Sequence, residues 1–552
     1  MWNCDVWNGH SVKSSHLDVT KSNDVAPRLV VPRHDRGVLV EPPFGQLIEV
    51  IQQNRSLLSR DLPIYGDSLQ AWREEARAAV IAESLAYTAS LTGEDIAPPS
   101  DGPLIVTGHQ PELFHAGVWA KNFAAAGLAG KTSGTSLNLI IDNDTVTTTR
   151  VKVPVGTQQS PGVEWIPFDM AVSQRPWEDA TISDPECFES FGQRVADQIQ
   201  AFWNYQPLVA HRWSAAKQHA NVSRRLCDCL AAMRVTVERS HGVHNLEVPM
   251  SRVCSTRPFQ RFIAAILGEH PSFHSSYNQI VRDYRRKYHL KSTTHPVPEL
   301  EISDDWFEAP FWIWQAGEER RDRPFARRIA DEIELRDSRR VLGRLPVHGN
   351  DQLQRGADVL QELARQGIRI RTRALTTTLF ARVFLSDLFI HGIGGAKYDE
   401  MTDSICARLL KSLAPQFATV SATAYPPLPP PFPVTDDLLR LTEHQLRDVQ
   451  YNPDRHLSID SPTPIQSLIH QKQQILKGIA GRHPSAEEHR TLQQINSQLG
   501  QHAEAARVRL RANSEAIRDQ LKANAVLRDR EFAWCLHPEA SLMSFLMTEF
   551  GG

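Results

Sequence analysis

Long apolar runs are missing from this chain of 552 residues. No stretch approaches the roughly 20 consecutive apolar residues that a membrane-spanning helix requires, so no membrane partner is expected. Cysteine is scarce: there are seven, an odd number, and no CxxC pair to suggest zinc. Cys227 and Cys229, in "LCDCL", stand too close along a helix for a comfortable bridge. Reduced thiols in a cytoplasm follow as the expectation. An excess of one charge is lacking as well, since 61 Lys+Arg face 64 Asp+Glu for a formal net charge of -3. Bulk electrostatics therefore calls for neither nucleic acid nor an anionic membrane. The motifs GxSxG, HExxH, GxxxxGK[ST] and GxGxxG are all absent, which removes the commonest signatures of serine hydrolases, zinc proteases, P-loops and dinucleotide folds. The opening segment lacks the basic-then-apolar pattern of a signal peptide, and residues 1–40 read as a poorly ordered tail.

What is present fits a globular protein with ample core, 41% hydrophobic and 23% charged. The length suggests about three units, although a large α/β core absorbs several. From Phe44 onward, apolar residues at i, i+3, i+4 spacing predict helices up to Leu91. "APPSDGP" breaks the pattern before the strand Leu104-Ile105-Val106. A helix opens behind Gly117, a second buried strand covers Leu137 to Ile141, and the β-favouring "TVTTTRVKVP" follows. Strand, polar loop, helix and strand in that order predict a βαβ unit with a parallel sheet, hence an α/β core over residues 41–425. Within it, Ile368 to Arg373 reads as a strand, Leu375 to Leu388 as a buried helix, and a further helix is expected from near Asp399. Residues 426–435 are a proline-rich spacer. Residues 436–530 read as a helical arm, with Ser485 and Glu488 forming a capping box. Leu492, Ile495, Leu499, Ala503, Ala506, Leu510, Ile517 and Leu521 recur in threes and fours, as in an antiparallel coiled-coil hairpin. Residues 531–552 are apolar enough to return to the core.

In a parallel α/β sheet, ligands bind outside the carboxyl ends of the strands, and three polar clusters fall at such places. The first is Thr107-Gly108-His109-Gln110, followed by His115 and Gly117 at a helix start that is suited to an anion. A tight turn with histidines facing water is the plainer alternative. The second is Asp142 and Asp144, able to orient an amine, bind a ribose or hold Mg²⁺, or simply to make a β-turn. The third is the glycine turn of "HGIGGAKYDE", where Gly394 and Gly395 form a candidate anion nest beside Lys397.

The order "IVTGHQPELFHAG", then "DND", then a Gly-Gly turn, then a helical arm and a C-terminal return resembles the bacillithiol biosynthesis cysteine-adding enzymes. Their T-G-Q-Q-x-G-L-F-T-G-type loop matches at Thr107, Gly108, Gln110, Leu113, Phe114 and Gly117. Their D-H-D turn resembles Asp142 and Asp144, and their G-G turn resembles Gly394 and Gly395. The chain departs from the family where His109 replaces a glutamine, His115 replaces a threonine, and "AKYDE" follows the glycines. The resemblance implies a Rossmann-like core with a coiled-coil arm, often dimeric. It also implies a ligase that joins the carboxyl of cysteine to the amine of an aminosugar–malate conjugate, with ATP or ADP as the nucleotide and no assigned metal. His109, Asp142 and Asp144 would then be catalytic, His109 taking the amine proton. Thr107, Gly108, Gln110, His115, Gly117, Gly394, Gly395 and Lys397 would bind substrate or anion. Two alternatives stay open: an amide-forming enzyme acting on another small substrate, and a non-catalytic nucleotide-binding protein whose arm recruits a partner.

Overall fold

The computed structural model describes residues 29–551 apart from 61, 171–173, 296, 348, 350, 412–413 and 458–461. Most of the expected tail, residues 1–28, lies outside the described residues. The part nearest the core is not tail: β1 (Gly37–Glu41) pairs antiparallel along the strand Phe417–Thr423.

The main sheet has six strands: β1, β2 (Leu104–His109), β3 (Thr135–Ile140), β4 (Leu246–Pro249), β5 (Leu388–His391) and β6 (Phe417–Thr423). Their order is β1-β6-β5-β2-β3-β4, and every pair except β1–β6 is parallel. Leu104, Ile105 and Val106 are buried in succession, as expected for a strand covered on both faces. Helix α1 (Leu69–Thr92) precedes β2, α2 (Ala116–Lys131) links β2 to β3, and α3 (Ile393–Leu410) links β5 to β6. The first crossover moves to one side of the β2–β5 boundary and the second to the other. The strand order therefore reverses between β2 and β5.

The expected buried helix over Leu375–Leu388 is three pieces: a short helix Ala374–Phe380, a π-turn Ala381–Leu385, and then β5. A continuous apolar run does not distinguish a buried strand from a buried helix. The helix stops because the Ser386 N–H reaches back to Ala381 O at 2.7 Å, while the Asp387 N–H donates to Leu104 O at 2.8 Å. Helix α3 likewise begins at Ile393 rather than near Asp399, so Gly394 and Gly395 form its first turn.

The remaining strands of the core form smaller sheets. Five antiparallel strands lie between Ile302 and Pro346. Phe311–Gln315 pairs with Ile368–Thr372, the strand expected there.

A separate compact unit comprises residues 154–164 and 428–529, and the chain rejoins the first unit at Arg530. Its helices are α4 (Asp436–Tyr451), α5 (Thr463–Gly478), α6 (Ala486–His502) and α7 (Glu504–Leu527). Helix α4 packs on α7 and α5 on α6, and the apolar pattern that follows the capping box runs through two helices that meet at Ala503. The box itself forms, with the Glu488 N–H on Ser485 Oγ at 3.2 Å and the Ser485 N–H on the Glu488 carboxylate at 2.8 Å. Ile495, Leu499, Ala503 and Ile517 are buried, and the gap in the pattern between Leu510 and Ile517 is filled by buried Ser514. Among the described residues, no helix is long and apolar enough to cross a membrane.

One carboxylate ties the centre of the main sheet together. Asp387 is buried and meets Arg73 of α1 at 3.2 Å and Arg77 at 2.6 Å. Its Oδ2 also accepts the Leu104 N–H at 2.9 Å. Burial, and then the neighbouring charge of Arg77, push Arg73 down to about 9, and its remaining donors are met by the Val383 and Ser386 carbonyls. Asp387→Ala leaves Arg73 charged and unpaired in the interior, which should cost about 3–5 kcal/mol in urea unfolding. A loss below about 1 kcal/mol would mean that Arg73 finds another partner.

Candidate functional site

The carboxyl end of β2 is locked before it reaches any ligand. Thr107 is buried and its hydroxyl donates to Ile390 O at 3.1 Å, a cross-strand tie to β5. The Gly108 carbonyl accepts from Lys121 Nζ at 2.6 Å. The His109 ring stands edge-on to Phe114 at 5.0 Å, with Nδ1 3.2 Å from Gln110 O. Burial, and secondarily the charge of Lys121, push His109 down to about 3. Its ring is therefore neutral at physiological pH and only weakly basic. The Gln110 amide donates to Asp144 Oδ2 at 3.1 Å.

The start of α2, expected to hold an anion, is filled from within the protein. His115 is its N-cap, and Nδ1 accepts the Gly117 N–H at 3.0 Å. Burial and the neighbouring Arg530 keep the His115 ring far below its ordinary range. Gly117 makes room for protein rather than ligand, because a Cβ there would lie 2.2 Å from both Ala422 O and the Arg530 guanidinium. The C-terminal segment closes the turn from outside, the Trp534 N–H donating to Phe114 O at 2.8 Å. The space left under the 109–114 loop is about 20 Å³, room for about one water. His109, Phe114, Asn122, Asn138, Arg234 and Trp534 line it.

The Asp142-Asn143-Asp144 turn sends its side chains three ways. Asp142 is fully buried; Oδ1 accepts the Ser251 N–H at 2.8 Å, and Oδ2 accepts the Ser251 hydroxyl at 2.5 Å and meets Arg225 at 3.3 Å. Desolvation, followed by the charge of Glu178, raises its carboxyl to about 7. Asn143 donates to Thr372 O at 2.8 Å. Asp144 is the one carboxylate of the pair left part-exposed, at 33%, and it pairs with Arg321 at 3.0 Å. The turn thus separates the two carboxylates, and Mg²⁺ held between them does not fit this arrangement.

The start of α3 is different. Its N-cap is Gly392, which supplies no capping side chain, and no acidic residue stands in the first turn. A Cβ on Gly394 would meet nothing within 4 Å, whereas one on Gly395 would lie 2.7 Å from the His391 ring. His391 is held by Asp399 at 2.8 Å, and Asp399 in turn by Arg382 at 2.5 Å. Lys397 is exposed one turn further on, with its backbone carbonyl accepting from the Tyr284 hydroxyl at 2.5 Å.

Three participants escape a reading of the sequence. Lys121 lies inside a helix otherwise rich in alanine, Arg225 reaches Asp142 from another helix start, and Arg321 arrives from a loop far along the chain. The guanidiniums of Arg321 and Arg373 lie over the Trp312 ring at 4.5 Å and 4.3 Å. The Trp312 ring is half-buried, whereas its neighbours Trp306 and Trp314 are buried. No local periodicity announces any of these contacts.

Compared with known proteins, the chain matches no family model, and no curated protein matches it.

Two outcomes follow from this geometry. Gly117→Ala should lower stability by about 1–3 kcal/mol through overpacking, read as a reduced unfolding midpoint; an unchanged midpoint would show that Arg530 moves aside freely. The folded-state pKa of Asp142, about 7, lies above the ordinary carboxylate value, so folded protein retains a proton that unfolded chain releases. The contribution of Asp142 to stability should therefore be largest below about pH 4 and fall as the pH rises to about 7. Unfolding of wild type and Asp142→Asn across that range should give a difference that varies in this sense, whereas a pH-independent difference would place the proton elsewhere.

Proposed function

We propose that this chain is a cytoplasmic ligase with a Rossmann-like core, joining a carboxyl group to an amine in the crevice between β2 and β5. Its particular reaction on this reading is addition of cysteine to the amine of an aminosugar–malate conjugate, in a bacillithiol-type thiol pathway. The observation that carries it is the reversal of strand order, which brings the Thr107–Gln110 strand end, the Asp142–Asp144 turn and the uncapped start of α3 to adjacent strand ends of one sheet. Open parallel sheets bind their ligands at such a reversal.

On this reading the residues around the strand ends take distinct roles. With α2 already capped, the start of α3 at Gly392–Gly395 is where a substrate carboxylate or nucleotide phosphate meets backbone N–H groups and the positive end of a helix. ATP is the nucleotide this reading requires, and when bound it supplies the activation of the cysteine carboxyl. Asp144, part-exposed and oriented by Gln110 and Arg321, is the carboxylate available to hold the amine. His109, neutral and weakly basic, serves as a hydrogen-bonding wall rather than as the proton acceptor. The helical unit is read as a coiled-coil arm for pairing two copies; exposed Leu438, Leu441 and Val508 support that reading.

The decisive experiment is a low-molecular-weight thiol profile of the source cell with and without the gene. Loss of one thiol with accumulation of its cysteine-free amine precursor is the expected result. An unchanged profile with the gene expressed removes cysteine addition and leaves amide formation on another substrate. A companion variant tests the anion position: Gly394→Asp has open space for its side chain, and should weaken binding of a di-anion at least about tenfold without lowering thermal stability.

A further inference from the structure

The crevice between β2 and β5 holds one more group, and no feature of the sequence draws attention to it. Lys121 is 3% exposed, yet its only hydrogen bond is to the Gly108 carbonyl at 2.6 Å, and no carboxylate pairs with it among the described residues. Buried ammonium groups are otherwise matched by counter-charges, because desolvating a lone charge is costly. The stem of Lys121 runs beside the start of α3: a Cβ built on Gly392, the N-cap of that helix, would lie 4.0 Å from Lys121 Cδ. An unmatched buried ammonium and an uncapped helix start of an 18-residue helix therefore stand together. Each alone is tolerable; together they concentrate positive potential, and the carboxylate on that helix, Asp399, is already engaged by Arg382 and His391.

We propose that Lys121 and the start of α3 form one oxyanion site, which takes a tetrahedral di-anion such as a phosphoryl group, with Lys121 supplying the ammonium. The proposal rests on the reading of the crevice as the ligand site and adds the residue that makes it selective for a doubly charged group. Without a ligand, desolvation lowers Lys121 to about 7. A bound di-anion restores the charged form, so binding above neutral pH takes up a proton. The ionisable groups around Lys121 do not obscure this. His109 at the end of β2 and His115 at the cap of α2 are both held neutral well below that range. On the β5 and α3 side, His391 is tied to Asp399, which Arg382 and His391 hold far below the usual carboxylate range. Arg530, the nearest cation on the C-terminal segment, bonds the Ala422 carbonyl and the Ser421 hydroxyl.

The test is titration calorimetry of the full-length protein with sodium sulfate, a di-anion that does not itself titrate near neutrality. At pH 8, heats measured in two buffers of different ionisation enthalpy should report uptake of close to one proton per sulfate. Affinity should fall about tenfold between pH 8 and pH 9. Lys121→Met, which keeps the apolar stem, should abolish the proton uptake and weaken sulfate at pH 7 at least about tenfold. Sulfate binding that is lost in Gly394→Asp, but shows no proton uptake and is unchanged in Lys121→Met, overturns the role of Lys121 and leaves the helix-start reading standing. No sulfate binding by the wild type overturns both. Should Lys121→Met fail to fold, the proton count of the wild type decides alone.

Discussion

The architecture depends on a single desolvated carboxylate. Asp387 stands at the entry to β5, ion-paired with two arginines of α1 and accepting the first N–H of β2. A buried charge of this kind is weak as a source of net stability, since desolvation consumes much of its Coulomb energy. Its value lies in register: it permits one alignment of β5 against β2, and the crevice at the far end of those strands inherits that alignment. Thr107, bonded to Ile390 O, repeats the tie from the other end. Between them these contacts fix the two strands at which the order of the sheet reverses.

Much of this was legible in the residues. The glycine-and-polar turn after Leu104-Ile105-Val106 and the second apolar strand before Asp142 announce a parallel βαβ unit, which β2, α2 and β3 form. The Ser485–Glu488 box forms as its spacing requires. The central strand β5 was hidden, because Leu388–His391 continues an apolar run that a buried helix would equally produce. Without β5 the reversal of strand order is invisible, and with it the crevice. Residues 154–164, which belong with the helical unit, gave no compositional sign of that membership.

The candidate site was legible by position rather than by role. Each polar cluster sits at the end of a strand or the start of a helix, where sequence reasoning puts it. Which of them faces a ligand depends on partners far away in the chain. His115 and Gly117 have the chemistry of an anion cradle, but Arg530 and Ala422 occupy the space. Asp142 and Asp144 are two residues apart, yet Ser251 draws one inward while Gln110 and Arg321 hold the other near the surface. Lys121 carries no signal, because a lysine at one position of a helix is ordinarily solvated; only the fold reveals it buried, with no carboxylate paired to it among the described residues.

The segment beginning at Arg530 finishes the cap of α2, its Trp534 backbone bonded to Phe114 O and its Arg530 guanidinium seated against Ala422. It is separated from β6 by the entire helical unit. During synthesis the sheet from β1 to β6 can assemble while that unit is still being made, but the loop over His109 stays open until the later segment emerges. The nascent core therefore passes through a stage in which the cap of α2 is incomplete, with the Phe114 carbonyl unmet and the space beside Gly117 unfilled.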